Sequence, residues 1–84
     1  MSKRISKRVW LTFEGQKVNQ PLIWMMSRQY PDVSFDIRQA SVRTEIGIMA
    51  VLLEGEEPLV EAAVAFLKGK GVGVEPVEKN VLES

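Results

Sequence analysis

Cysteine and histidine are both absent from this 84-residue chain, and so is any net charge. Without cysteine the protein has no disulfide, no thiolate nucleophile and no sulfur ligand for zinc or an iron–sulfur cluster. Without histidine it also loses the usual general base near neutral pH, every Ser-His or Cys-His pairing and the commonest transition-metal ligand. Lysine plus arginine equals aspartate plus glutamate at 11 each, so no overall field draws the chain to nucleic acid or to an anionic membrane. No apolar run approaches the roughly 18 residues of a membrane span, and no charged-then-apolar leader opens the sequence. A cytoplasmic location is the expectation. The G-x-x-x-x-G-K-[ST] phosphate loop is missing as well, so the chain has no means of driving ATP hydrolysis. Neither enzymatic activity nor a cofactor or metal is expected.

Paired carboxylates are the remaining catalytic option. The acids at Glu54, Glu56, Glu57 and Glu61 fall around a turn and the start of a helix, where the helix dipole favours negative charge, and the structural role suffices for them. What is present is a globular composition, 45% hydrophobic and 26% charged, with room for one core. A domain of this size buries only about 60 to 65% of its extended surface, which leaves it modestly stable unless a partner covers more. The opening "MSKRISKR" concentrates Lys3, Arg4, Lys7 and Arg8. It reads as a mobile, solubilising basic arm over residues 1–7, with docking to an acidic partner as its sharper alternative. A single folded domain over 8–79 and a frayed tail over 80–84 complete the expected organisation.

Within that domain the strand and helix periods are legible. "KRVWLTFEG", Lys7 to Gly15, sets Val9, Leu11 and Phe13 on one face and Trp10 and Thr12 on the other, the period of a strand. A loop "GQKVN" leads to "QPLIWMMSRQYP", a helix with Asn19 or Gln20 at its cap, Pro21 in its first turn, Leu22, Met26 and Tyr30 on one face, and Pro31 as its stop. Val33 to Val42 alternates again, with Val33, Phe35 and Ile37 against Ser34, Asp36 and Arg38. A short "RTE" link then makes a hairpin into Ile46 to Leu53, which is apolar on both faces. "EGEEPLVEAAVAFLKGKG" is a second helix, with Pro58 in the first turn, a core stripe of Leu59, Ala63, Phe66 and Leu67, and Gly69 or Gly71 at its end. "VGVEPVEKN" supplies a last strand with Val72 and Val74 facing in, and Pro76 confines it to an edge.

The order βαββαβ is that of the split-βαβ, ferredoxin-like α+β sandwich. Right-handed crossovers place both helices on one face of a four-stranded antiparallel sheet of order 4-1-3-2. If Ile48, Ala50 and Leu52 face the helices, the central strands carry Trp10, Met49, Val51 and Leu53 on the uncovered side. An apolar patch there has the size of an interface, and a second copy of the chain is its expected occupant. A register shifted by one residue would return much of that patch to the core.

The phrases "LTFEGQKVNQPLI", "FDIRQASV", "IGIMAVLLEG" and "VEAAVAFLKGKGVGVEPV", in that order over about Val9 to Val77, resemble the NIL domain. The resemblance implies a ferredoxin-like regulatory domain best known from the ATPase subunits of methionine importers, where such domains pair and bind methionine near their interface, and it also covers fusions to iron–sulfur ferredoxin modules and short stand-alone chains. The Asn-Ile-Leu triplet that names the family corresponds here to Asp36, Ile37 and Arg38. An asparagine amide both donates and accepts, whereas an aspartate only accepts and repels a ligand carboxylate. Two expectations follow. In one, the chain is a homodimeric sensor of L-methionine or a similar amino acid, with Asp36 on the ammonium, Arg38 on the carboxylate, and Ile37, Met49 and Trp10 as an apolar wall. In the other, it binds no metabolite and uses the same face, or its basic arm, to regulate a transporter or redox partner.

Overall fold

The structure is a computed structural model that describes residues 3–77. Its elements are β1 (Arg4–Glu14), a short 3-10 turn (Gly15–Asn19), α1 (Leu22–Gln29), β2 (Ser34–Val42), β3 (Ile46–Glu56), α2 (Glu57–Gly69) and β4 (Gly73–Pro76). The strands form one antiparallel sheet in the order β2-β3-β1-β4, with both central strands 11 residues long. This is the expected ferredoxin-like arrangement, and both helices pack on one face of it.

Strand β1 begins earlier than its alternation suggested. Arg4 to Lys7 pair with Glu56 to Leu53 of β3, and the Glu57 amide donates to the Lys3 carbonyl at 2.7 Å. Residues 4–7 are therefore strand, and the basic arm expected over 1–7 is corrected there; residues 1–2, and the tail expected over 80–84, lie outside the described residues. Across the ladder Arg4 stands opposite Glu56 and Ser6 opposite Glu54, and the Ser6 hydroxyl donates to Glu54 Oε2 at 2.8 Å.

Helix α1 starts one residue later than expected, with Pro21 at the N-cap position and no side chain capping the first turn. Leu22 and Met26 point into the core, and the chain leaves the helix at Tyr30 ahead of Pro31, which disfavours a helical conformation in the residue before it. Helix α2 buries Val60, Ala63, Val64 and Leu67, while Leu59 and Phe66 are half-buried at its flank. Its apolar stripe is thus turned slightly from the expected one, and Phe66 meets Tyr30 of α1 edge-on at 6.1 Å. The helix ends in a Schellman turn: the Val72 amide donates to the Leu67 carbonyl, the Gly71 amide to that of Lys68, and Gly71 takes φ +88, a conformation that favours glycine.

The core lies between the helices and one face of the sheet. It contains Val9, Leu11 and Phe13 of β1, Val51 and Leu53 of β3, Leu22 and Met26 of α1, Val33 and Val72, together with the α2 residues. No polar or charged side chain is buried among the described residues.

Candidate functional site

Which side chains of β2 reach the uncovered face is decided by one irregularity in that strand. The β2–β3 register runs Asp36↔Leu52 and Ile37↔Val51, then resumes at Gln39↔Ala50, leaving Arg38 as an extra residue in a β-bulge. A bulge shifts the two-residue alternation by one position. Ahead of it the odd residues Phe35 and Ile37 share the helix side with Val51 and Leu53; beyond it the even residues Ala40 and Val42 do, opposite Met49 and Gly47. Had β2 run without a bulge, Ala40 and Val42 would stand on the uncovered side, whereas β3 would keep its faces, because its pairing with β1 sets Val51 against Val9 and Met49 against Leu11.

The expected interface patch is corrected accordingly. Val51 is 1% exposed and Leu53 is fully buried, both beneath the helices, and Met49 is half-buried on that side. Of the four residues expected on the open face only Trp10 is there. Its neighbours are the residues that were expected to face the helices: Ala50 is its direct partner in β3, with Arg8↔Leu52 and Thr12↔Ile48 on either side. Ile48 is exposed, and Trp10, Ala50 and Leu52 are half-buried.

Trp10 divides this face into two hollows. One, of ≈ 450 Å³, is bounded by Arg8, Trp10, Arg38, Gln39 and Ala50, with Val77 at its end. The other, of ≈ 410 Å³, lies between Trp10, Gln39, Ser41 and Ile48. Because the bulge places two successive residues on the same side, Arg38 and Gln39 both border the first hollow. Arg38 Nε stands 3.6 Å from Asp36 Oδ2, with both side chains more than half exposed. Such a pair is worth at most about 1 kcal/mol to the fold, so stability alone does not account for it.

The four expected ligand residues do not meet in one place. Arg38 lines the open-face hollow and Asp36 stands beside Arg38 on the same face, outside that lining, whereas Ile37 and Met49 project on the helix side of the sheet. Arg8, Gln39, Ile48, Ala50 and Leu52 were missed as site residues. Arg8 was absorbed into the basic run, Ile48, Ala50 and Leu52 depended on the register of β3 with β1, and Gln39 depended on the bulge, which Arg38 does not announce because any residue type can occupy such a position. Among the described residues no group of three or more His, Cys, Asp or Glu side chains is placed to hold a metal ion, and no helix is long and apolar enough to cross a membrane.

A four-stranded antiparallel sheet with two helices on one face and the other face bare defines a small α+β domain of ferredoxin-like arrangement. The family model of the NIL domain matches residues 7–76, and the chain belongs to that family. It is similar to the methionine import ATP-binding protein MetN 2 of Acinetobacter baylyi, 37% identical over 68 residues, which cover 76% of this chain and 20% of that protein. Among solved structures it is similar to the C-terminal domain of an ABC transporter ATP-binding protein from Enterococcus faecalis, with a TM-score of 0.73 and 25% identity over 88% of this chain and 86% of that one. A de novo designed protein, Foldit4, shares the fold at a TM-score of 0.56 and 13% identity. The chain thus corresponds to a fifth of an importer ATPase subunit and to most of a C-terminal domain of that class.

Proposed function

We propose that this chain is a non-enzymatic regulatory module that pairs with a second copy through the open face of its sheet and holds methionine or a similar small amino acid beside β2. The observation that carries this reading is the bare apolar centre of the sheet, Trp10, Ile48, Ala50 and Leu52, beside a hollow edged by Arg8, Arg38 and Gln39. A strand spacing of about 4.8 Å and a rise of about 3.3 Å per residue give the four strands a face of roughly 550 Å², or about 1,100 Å² shared by two copies. That is just below the range of stable interfaces, about 1,200–2,000 Å², and it suits a weak dimer that a ligand can tune. Trp10 is a knob between two hollows, so a two-fold partner can lay its own indole into one and leave the other for ligand.

In that hollow the Asp36 carboxylate accepts from a ligand ammonium, the Arg38 guanidinium binds the ligand carboxylate, and Trp10 and Ala50 form the apolar wall. Met49 and Ile37, on the other side of the sheet, act only by supporting it. The test is an amide NMR titration with L-methionine, with D-methionine and leucine as controls. Saturable, stereospecific shifts at Asp36 to Ala40 and at Trp10 are expected, and Asp36→Ala and Arg38→Ala should each weaken binding by about 1 kcal/mol or more. Unchanged affinity in both variants refutes the grip.

The second reading keeps the face and drops the metabolite: a transporter or iron–sulfur redox protein covers Trp10 and Ile48 directly. Asp36 favours it, since its carboxylate cannot donate to a ligand as an amide would. No shifts at millimolar methionine, with a protein partner released by Ile48→Glu, is the outcome this reading expects.

A further inference from the structure

A second hollow lies on the helix side of the sheet, apart from the face just described and independent of its reading. It has a volume of ≈ 180 Å³ and sits between the first turn of α1 and the β2–β3 hairpin. Leu22 and Trp24 belong to the α1 side, Phe13 and Met49 line the sheet side, Val42 forms a wall, and Gly47 lies on the floor. Trp24 and Val42 are 58% and 59% exposed, among the most exposed large apolar residues of the described chain.

Gly47 is the informative residue. A glycine inside a strand is destabilising relative to alanine, and it usually answers a need for positive φ or for close approach of another group. Gly47 meets neither need. Its φ is not in the left-handed region, and a Cβ built on it would lie 3.8 Å from Val42 Cγ2 and 3.9 Å from Phe13 Cβ, ordinary contact distances. Gly55, eight residues along the same strand, makes the contrast: a Cβ there would crowd the Asp32 carbonyl oxygen at 3.2 Å. The protein's own packing explains Gly55 and leaves Gly47 unexplained. What glycine does at position 47 is keep the hollow open.

We infer that the Gly47 hollow is a binding site for a compact, uncharged hydrocarbon group, a branched aliphatic chain or a single ring, carried by a small molecule. The size fits: an apolar cavity of about 150 Å³ accommodates benzene. The lining fits too, because no buried charged or polar side chain among the described residues would compensate a charged group brought inside. Lys17 and Gln20 at the rim leave any polar remainder of the ligand in water. Occupancy would bridge the start of α1 to the hairpin, two elements that otherwise meet only through this partly open space.

Benzene is the probe, with amide NMR as the readout. Saturable shifts are expected at Gly47, Val42 and Leu22 below the solubility limit of benzene. Gly47→Val extends into the hollow with a residue suited to a strand; it should melt no lower than the parent and lose at least about tenfold in benzene affinity. Gly47→Ala, which adds only a methyl at ordinary contact distance, guards against a folding defect in the valine variant and should give an intermediate affinity. Absence of saturable shifts, or folded Gly47 variants with parental affinity, would each overturn the inference.

Discussion

Leu52 and Leu53 are adjacent and chemically identical, and as successive residues of β3 they project on opposite faces of the sheet. Leu53 is fully buried under the helices, opposite Lys7 and Phe35. Truncating it removes the transfer energy of the lost atoms and leaves a cavity that the paired strands cannot close. Leu53→Ala should therefore cost about 3 kcal/mol, within the 2 to 5 of such substitutions. Leu52 is half-buried on the open face opposite Arg8 and Asp36, with solvent already beside it. Leu52→Ala should cost about 1 kcal/mol or less, since only part of its surface is withdrawn from water within one copy. For a domain this small, each kcal/mol moves the melting temperature by about 4–8 °C, so the two variants should melt about 12–24 °C and at most about 8 °C below the parent. Urea melts at low micromolar protein, where association adds little, give the same comparison at constant temperature. A Leu52→Ala variant less stable than Leu53→Ala would refute the faces assigned to β3 and with them the open face.

Further predictions concern glycines and surface polar groups. Gly47→Ala should stabilise the fold by about 0.5–1 kcal/mol in denaturant melts, because it restricts the unfolded chain and meets no clash. Gly71→Ala should destabilise by about 1–2 kcal/mol, since the Schellman turn holds this residue at φ +88 and the added methyl runs into the Lys17 stem. Ser6→Ala removes an exposed hydroxyl–carboxylate bond to Glu54 and should change stability by less than about 0.5 kcal/mol. Asp36→Ala and Arg38→Ala should each leave the melting temperature within a few degrees of the parent, as an exposed pair contributes at most about 1 kcal/mol. A large loss of stability in either would make that pair structural and remove the reason for assigning it to a ligand.

Strand, helix and strand order were legible in the sequence because each element carries a strong local signal. Val9, Leu11 and Phe13 keep the period of two, Leu22 and Met26 keep the period of a helix, and Pro58 and Gly71 mark the limits of α2. The topology followed from those elements and from the handedness of crossovers. The faces of β3 were not legible, because Ile46 to Leu53 is apolar at nearly every position and its alternation is set by neighbours, not by its own residues. The register with β1, which sets Val51 against Val9 and Met49 against Leu11, decides those faces, and the bulge at Arg38 decides only which β2 residues join them; neither leaves a compositional mark. The candidate site inherited that ambiguity: Trp10, Asp36 and Arg38 were placed correctly by their own alternation, while Met49, Val51 and Leu53 were not. The start of β1 was obscured for a different reason. Its basic residues resemble a solvated arm until Arg4 to Arg8 are seen to pair with Glu56 to Leu52 of β3.

The central claim is that the open face is the working surface, and sedimentation equilibrium of the parent and of Trp10→Glu, with and without L-methionine, tests it most directly. The account predicts that the parent forms a dimer in the micromolar range which methionine tightens, and that Trp10→Glu is a folded monomer at every concentration. A parent that stays monomeric at high concentration with methionine present, or a Trp10→Glu variant that dimerises as the parent does, would contradict it.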